Sequence, residues 1–155
     1  MNMVRKGSWW VAASHWPLAG LVIKDGAWVA VDSPRVSRYN LACTVHAGKI
    51  FVIGGNYSGN DVEIFDPNSE SWALGPEFPQ SLSNAYAVSW VGNLWVLGGF
   101  NDATGKYNNI VYRLDEVEKG WKDTGIYVDG SDIQKVLPGL IVNKDIMGEY
   151  GQIKC

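Results

Sequence analysis

The side chains that could carry acid–base or metal chemistry are few and widely spaced. Asp61 and Glu63 are two residues apart in an apolar segment, so in a strand their carboxylates would share one face, as paired catalytic acids do. An exposed face of an outer strand explains the pair better, and we expect both carboxylates in solvent. Cys43 and His46 are near in sequence, but alternation along a strand places them on opposite faces, which argues against a shared metal ion.

No other motif in the sequence predicts catalysis. Signatures of serine hydrolases, zinc proteases, P-loops and dinucleotide-binding loops are absent from the sequence. The two cysteines, Cys43 and Cys155, are too few for a disulfide framework and form no Cys/His cluster, so we expect reduced thiols. The sequence therefore predicts no catalytic residue, no metal site and no cofactor.

Charge and hydropathy narrow the class of partner. The net charge is −3, from 13 basic and 16 acidic residues without a basic run, which predicts binding to neither nucleic acid nor an anionic membrane. The apolar stretch from Trp9 to Ile23 resembles a signal peptide, but His15, Pro17 and Gly20 interrupt it. We therefore expect a cytoplasmic protein.

The composition favours an all-β fold. Eight Trp, seven Tyr and 18 Gly are present among 155 residues. Aromatic side chains fill pleated surfaces, and glycine supplies the positive φ angles of tight turns. This mixture is typical of many short strands joined by short turns.

An internal repeat decides the architecture. Two eight-residue blocks, 48–55 and 92–99, match position by position at an offset of 44, and each reads as a turn glycine, a polar residue, four apolar residues and Gly-Gly. Four consecutive apolar residues indicate a strand that is buried on both faces. Trp28 and Trp72 are also 44 residues apart, whereas Trp121 follows 49 residues after Trp72, so about five residues are inserted in that copy, around 101–109 and 116–120. Between Gly-Gly and Trp comes a further strand, ending on Asp66 or Asp115.

These blocks resemble the kelch repeat family. Its motif is a first strand, a short turn, an apolar strand ending in Gly-Gly, an aromatic-Asp strand and then a Trp. The resemblance implies kelch-type β-propeller blades, about three four-stranded antiparallel sheets. It divides the chain into a degenerate copy at 7–31, strong copies at 38–74 and 84–124, and a possible further blade or irregular tail at 125–155. Propellers use about four to eight blades, so we expect an incomplete propeller, either a fragment or short form, or a chain that self-associates through open blade ends.

The same resemblance implies a protein–protein interaction module or scaffold that binds through loops on one rim. The matching positions precede the first strands or follow Gly-Gly: Asn40, Asn56, Tyr57, Asn84, Phe100, Asn101 and Asp102. Arg38 matches an arginine common before the first strand and is expected to be structural, and Trp28, Trp72 and Trp121 are expected to pack between blades. The partner is a protein of unknown identity, and a rim of asparagines and aromatics argues against an acidic peptide. The alternative is part of a kelch-propeller enzyme acting on carbohydrate, of the oxidase or sialic-acid epimerase type.

Overall fold

The described part of the chain is built from antiparallel sheets. The computed structural model describes residues 9–10, 20–24, 27–36, 38–56 and 58–132, with side chains from residue 32 onward. The first sheet has the order β1 (Trp9–Trp10), β2 (Gly20–Lys24) and β3 (Ala27–Val31). Among these residues no helix is long and apolar enough to cross a membrane.

The second sheet is a simple four-stranded meander. Its strands are β4 (Ala42–His46), β5 (Lys49–Ile53), β6 (Val62–Asp66) and β7 (Ser71–Leu74), paired in that order. The predicted first, second and third strands of this copy are thereby confirmed. β5 is buried at all four apolar positions, as its unbroken apolar run predicts.

The third sheet repeats this meander with one addition. It contains β8 (Ser83–Trp90), β9 (Asn93–Asn101), β11 (Ile110–Leu114) and β12 (Trp121–Tyr127), and a short strand β10 (Lys106–Tyr107) folds back onto β9. A 3₁₀ turn at Val117–Lys119 lies between β11 and β12. The predicted strands of this copy are also confirmed. β10 lies in the segment 101–109, where the sequence predicted an insertion. The insertion also expected around 116–120 is wrong, because Asp66 to Trp72 and Asp115 to Trp121 span the same number of residues.

The second sheet is covered on both faces. One face packs against the third sheet through a cluster that includes Phe51, Ile64, Leu94 and Leu114, each no more than 7% exposed. The other face buries Leu41, Ile50, Val52 and Phe65. Burial of apolar area on both sides of one sheet is the main stabilising term in such a stack.

The Gly-Gly pair is required by the approach of the next sheet. Gly54 has a φ of 60°, and a Cβ atom there would lie 2.3 Å from the carbonyl oxygen of Leu82, in the segment that leads into β8. The neighbouring Gly55 N–H donates to that same oxygen at 2.8 Å. A side chain at position 54 would therefore push the two sheets apart.

Each tryptophan at the end of a repeat reaches back to the preceding sheet. The indole N–H of Trp72 donates to the carbonyl of Asp32 at 2.6 Å, just beyond β3. Trp121 donates in the same way to the carbonyl of Pro76 at 3.0 Å, just beyond β7, and its ring lies against Phe78. The predicted packing between blades is confirmed for these two residues, and the Trp28 side chain lies outside the described residues.

Cys43 departs from the prediction. This residue lies on β4, packs against the Leu41 cluster and is disulfide-bonded, so the reduced thiol expected from the sequence is wrong. A count of two cysteines argues only against a framework of several bridges and carries no information on distance.

Candidate binding rim

The predicted contact residues that the structure describes lie at one end of the strands. In the second sheet, Ala42 pairs with Ile53 and Ile53 pairs with Val62, so the segment leading into β4 and the loop after Gly-Gly lie at the same edge. The third sheet repeats this geometry, with Ser83 opposite Phe100. We call this end of the strands the Gly-Gly rim; it comprises residues 38–41, 54–56, 58–61, 80–84 and 98–109.

A chain of side-chain hydrogen bonds crosses the rim from one sheet to the next. The Nδ2 group of Asn40 donates to Oδ1 of Asn56 at 2.9 Å, and Nδ2 of Asn56 donates to Oδ2 of Asp102 at 3.0 Å. All three side chains are at least partly exposed to solvent. The structure thus brings together three of the seven predicted contact residues, from three separate segments of the chain.

Asn40 and Asn84 also have a shared backbone role. Both adopt a φ of 54°, a left-handed conformation that asparagine tolerates better than most residues. The N–H of Asn84 donates to the carbonyl of Asn40 at 2.8 Å, which links the starts of β4 and β8. Turn geometry is therefore one reason for asparagine at both positions.

The remaining predicted residues brace the loop that follows β9. Oδ1 of Asn101 accepts the backbone N–H groups of Ala103 and Thr104 at 3.0 and 3.2 Å. The ring of Phe100 packs edge-on against Tyr107, with centroids 5.2 Å apart. Tyr57 lies outside the described residues. Partner contact by any of the seven residues stays a prediction.

A buried arginine closes the first rim loop. Nη1 of Arg38 donates to the carbonyl of Gly54 at 3.1 Å and to that of Asp61 at 3.0 Å, which are the two ends of the loop carrying Asn56. Burial lowers the pKa of Arg38 from its usual value, and the charge of Glu63 opposes that shift. The predicted structural role of Arg38 is confirmed.

Glu63 is the ionic partner of Arg38, which corrects the prediction of a solvent-exposed carboxylate. The Glu63 side chain is 2% exposed, forms a salt bridge with Arg38, and accepts the backbone N–H of Arg35 at 2.6 Å. The expectation failed because β6 is an interior strand of a sheet that is covered on both faces. Asp61 and Glu63 are therefore not a catalytic pair, since Asp61 contributes its backbone carbonyl and Glu63 an ion pair.

The second rim loop is closed by a different side chain at equivalent atoms. Nδ2 of Asn108 donates to the carbonyls of Gly98 and Ile110, both at 2.9 Å. Gly98 follows Gly54 by 44 residues, and Ile110 follows Asp61 by the 49 residues of the longer copy. Asn108 is 3% exposed, and its Oδ1 accepts the Gln80 amide at 2.8 Å. A neutral clamp thus replaces the ionic clamp of the preceding repeat.

The sequence predicted a structural role for Arg38, but its pairing with Glu63 and the clamp at Asn108 were missed, although a signal was present. At the same offsets, the position of Arg38 is taken by Leu82 and that of Glu63 by Tyr112. Both replacements are buried, at 2% and 7% exposed. The simultaneous loss of one positive and one negative charge between two repeats is the pattern expected of a paired buried arginine and glutamate.

Comparison with known proteins agrees with this geometry. Residues 37–79, which span the second sheet and its rim loop, match the family described as Kelch motif. The chain carries kelch repeats. The kelch chain is 31% identical over 109 residues to Kelch-like protein 40 of Xenopus laevis, 64% of this chain and 18% of that protein. It is 34% identical over 76 residues to human Kelch-like protein 35, 46% of this chain and 13% of that protein.

The kelch chain spans less than a fifth of the length of these curated relatives. Among solved structures it is similar to the structure of YjhT, with a TM-score of 0.56 and 19% identity, covering 68% of this chain and 44% of that chain. At that identity the likeness concerns the fold alone, and it agrees with kelch-type propeller blades.

Metal ligation finds no support in the described part of the kelch chain. There, no three His, Cys, Asp or Glu side chains come together in a group that could hold a metal ion. The predicted separation of Cys43 from His46 is confirmed, because Cys43 packs with the Leu41 cluster while His46 contacts Phe51 and Ser89 on the side of the third sheet.

Proposed function

We propose that these kelch repeats form a protein-interaction module that binds a partner protein through the Gly-Gly rim. The chain of hydrogen bonds from Asn40 through Asn56 to Asp102 is the observation that carries this proposal. It presents amide and carboxylate groups from two neighbouring sheets as one continuous polar surface. Such groups offer the partner donors and acceptors at a small cost in side-chain entropy, because they already hold one another in place.

Exposed aromatic side chains flank this polar surface. Tyr39 is 39% exposed beside Asn40, and Tyr107 is 47% exposed on the hairpin that follows Asp102. Tyrosine combines a rigid apolar ring with a hydroxyl group and is enriched at protein interfaces. The rim therefore has the composition of an interface that is part apolar and part hydrogen-bonding.

The two clamps support the proposal by fixing the loops before a partner arrives. Arg38 joins the ends of the first loop and Asn108 joins the ends of the second. Preformed loops lose less conformational entropy on binding than mobile ones. Because Arg38 is buried and paired with Glu63, it offers no positive charge to an acidic peptide, so we propose a partner segment that is not acidic.

An affinity capture with matched variants tests the proposal. The rim variant is Asn40→Ala/Asn56→Ala/Asp102→Ala, and the control, which also removes two amides and one carboxylate, is Asn68→Ala/Asn93→Ala/Glu116→Ala on the opposite edge. Proteins captured by the full chain are quantified by mass spectrometry and then rebound as purified proteins. Each hydrogen bond contributes about 0.5–1.5 kcal/mol, so the rim variant should weaken binding at least about tenfold and the control should not. Equal binding by both variants would contradict the proposal.

The carbohydrate-enzyme alternative lacks a supporting residue among those described. Asp61 and Glu63, the acid pair weighed from the sequence, give it no support, because Glu63 is held in a buried ion pair with Arg38. Self-association through open blade ends stays a prediction, which light scattering on the purified chain would test.

A further inference from the structure

A second concave surface lies away from the Gly-Gly rim. It is a cleft of about 500 Å³ between the second and third sheets, on the side of the turns at 47–48 and 67–70. This volume is within the range of about 300–1,000 Å³ that is usual for binding sites. None of the seven residues predicted to contact a partner lines it.

The interior of the cleft is apolar and its outer walls are exposed. Phe51, Ile64 and Leu114 line it from the core between the two sheets, each no more than 7% exposed. Leu74 on β7 and Val117 on the 3₁₀ turn also line it, and they are 59% and 38% exposed. An apolar groove bounded by large exposed aliphatic side chains marks an interaction surface better than scattered apolar residues do.

The basic side chains that line the cleft are either uncharged or already in an ion pair. Burial lowers the pKa of His46, whose Nδ1 lies 2.8 Å from Oγ of Ser89, so this imidazole is uncharged at neutral pH. Lys49 Nζ lies 3.1 Å from Asp66 Oδ2. No unpaired positive charge therefore remains among the lining residues.

One carboxylate at the cleft has no ion-pair partner in the described part of the chain. Asp115 is neutralised by salt bridges with Arg113 and Lys122. Glu118 lines the cleft, is exposed, and forms no hydrogen bond or ion pair with any residue in the described part of the chain. The cleft thus presents an apolar interior with a single free carboxylate at its mouth.

We propose that this cleft binds an extended segment of a partner protein that inserts an aliphatic side chain between the two sheets and places a lysine or arginine beside Glu118. The exposed residues Ala47 and Ser69 in turns, and Ser71 at the start of β7, leave the groove open to solvent, as an extended segment needs. The site is independent of the Gly-Gly rim, so the module would have two docking surfaces on opposite edges of the same pair of sheets.

Fluorescence anisotropy with defined peptides tests this site on the full chain. The probes are two short fluorescein-labelled peptides of equal length, one of alternating leucine and arginine and one of alternating leucine and glutamate. We expect saturable binding of the arginine peptide and binding of the glutamate peptide that is about tenfold weaker. Surface ion pairs contribute about 0.2–1 kcal/mol, so Glu118→Lys should weaken the arginine peptide about fivefold and strengthen the glutamate peptide by a similar factor.

Two further variants localise the effect. Glu77→Lys makes the same change in net charge on the side of the Gly-Gly rim and should leave both affinities unchanged, and Leu74→Ser should weaken both peptides. The substituted side chains are exposed, and circular dichroism would check that the fold is kept. The inference is overturned if the arginine peptide fails to saturate, if Glu118→Lys and Glu77→Lys act alike, or if Leu74→Ser leaves both affinities unchanged.

Discussion

The salt bridge between Arg38 and Glu63 makes a sharp prediction about stability. Both side chains are almost wholly shielded from water, at 0% and 2% exposed. Removing one member of a buried ion pair costs about 3–5 kcal/mol, because the remaining charge loses its partner in a poorly solvating environment. We therefore expect Arg38→Met to lower the free energy of unfolding by about that amount, with a further loss at the carbonyls of Gly54 and Asp61.

The second substitution, Glu63→Gln, should lower the free energy of unfolding when Arg38 is present and raise it when Arg38 is replaced. In the otherwise unchanged chain it leaves Arg38 with an unbalanced charge and should likewise destabilise by about 3–5 kcal/mol. In the Arg38→Met background it removes the uncompensated carboxylate, so it should stabilise by at least about 1 kcal/mol. The exposed pair Lys119 and Glu116 is the control, since pairs in solvent contribute about 0–1 kcal/mol.

Denaturant unfolding of the unchanged chain, the two single variants and the double variant, followed by tryptophan fluorescence, measures these values. A destabilising effect of Glu63→Gln of the same size in both backgrounds would refute the reasoning. It would mean that the Glu63 carboxylate is solvated in the folded chain, and that the clamp on the first rim loop does not depend on an ion pair.

Three further predictions concern the glycines, the tryptophans and pH. Gly54→Ala should destabilise by about 2–4 kcal/mol, because it adds a clash with the Leu82 carbonyl to the strain of a positive φ. Gly48 has a φ of 74° and open space around it, so Gly48→Ala should cost only about 1–2 kcal/mol. Equal losses in denaturant unfolding would contradict the close approach of Leu82 to Gly54. Trp121→Phe should cost at least about 1 kcal/mol in the same assay, since it removes the bond to the Pro76 carbonyl and part of the ring's packing area. Trp121→Ala removes the whole ring and should cost more, so equal losses would contradict packing of the ring between sheets. The pKa of His46 is lowered below 6.5 in the folded chain, so its contribution to stability is complete above that pH and is lost as the pH falls through the folded pKa. The His46→Asn variant should therefore lose less stability than the unchanged chain between about pH 7.5 and about pH 5. Equal losses in the two chains would contradict burial of the imidazole.

Strand positions followed from the sequence because the repeat constrains them twice. The offset of 44 residues between Gly48 and Gly92 placed β5 and β9 together, and the shift to 49 residues indicated an insertion, which the structure shows before β11 as β10. Two copies of one pattern, each consistent with strands buried on both faces, leave few alternative folds.

The burial of Glu63 and Asn108 could not be predicted from the sequence, for a physical reason. Glu63 follows Val62 and precedes Ile64, a spacing that is equally typical of a strand with one solvated face. Its burial depends on an arginine 25 residues earlier and on the apolar clusters that cover both faces of its sheet. Likewise, Asn108 becomes a clamp only because β10 folds back on β9 and aims its amide at two carbonyls.

The position of the rim could be predicted from the sequence, but the hydrogen bonds within it could not. Asn40, Asn56 and Asp102 were chosen from their positions before a first strand or after Gly-Gly, and the structure places them at one edge. That Asn56 donates to a carboxylate of the next repeat depends on the distance between neighbouring sheets, which a one-dimensional pattern does not contain.

The backward reach of the repeat tryptophans has a consequence for how the chain acquires its structure during synthesis. Trp72 and Trp121 bond to carbonyls that lie 40 and 45 residues earlier, so each sheet is secured to one that has already left the ribosome. Neighbour-to-neighbour links of this kind let order spread in one direction along a nascent chain, without waiting for distant segments. An altered repeat would then halt the growing stack at its own position and leave the sheets made before it intact.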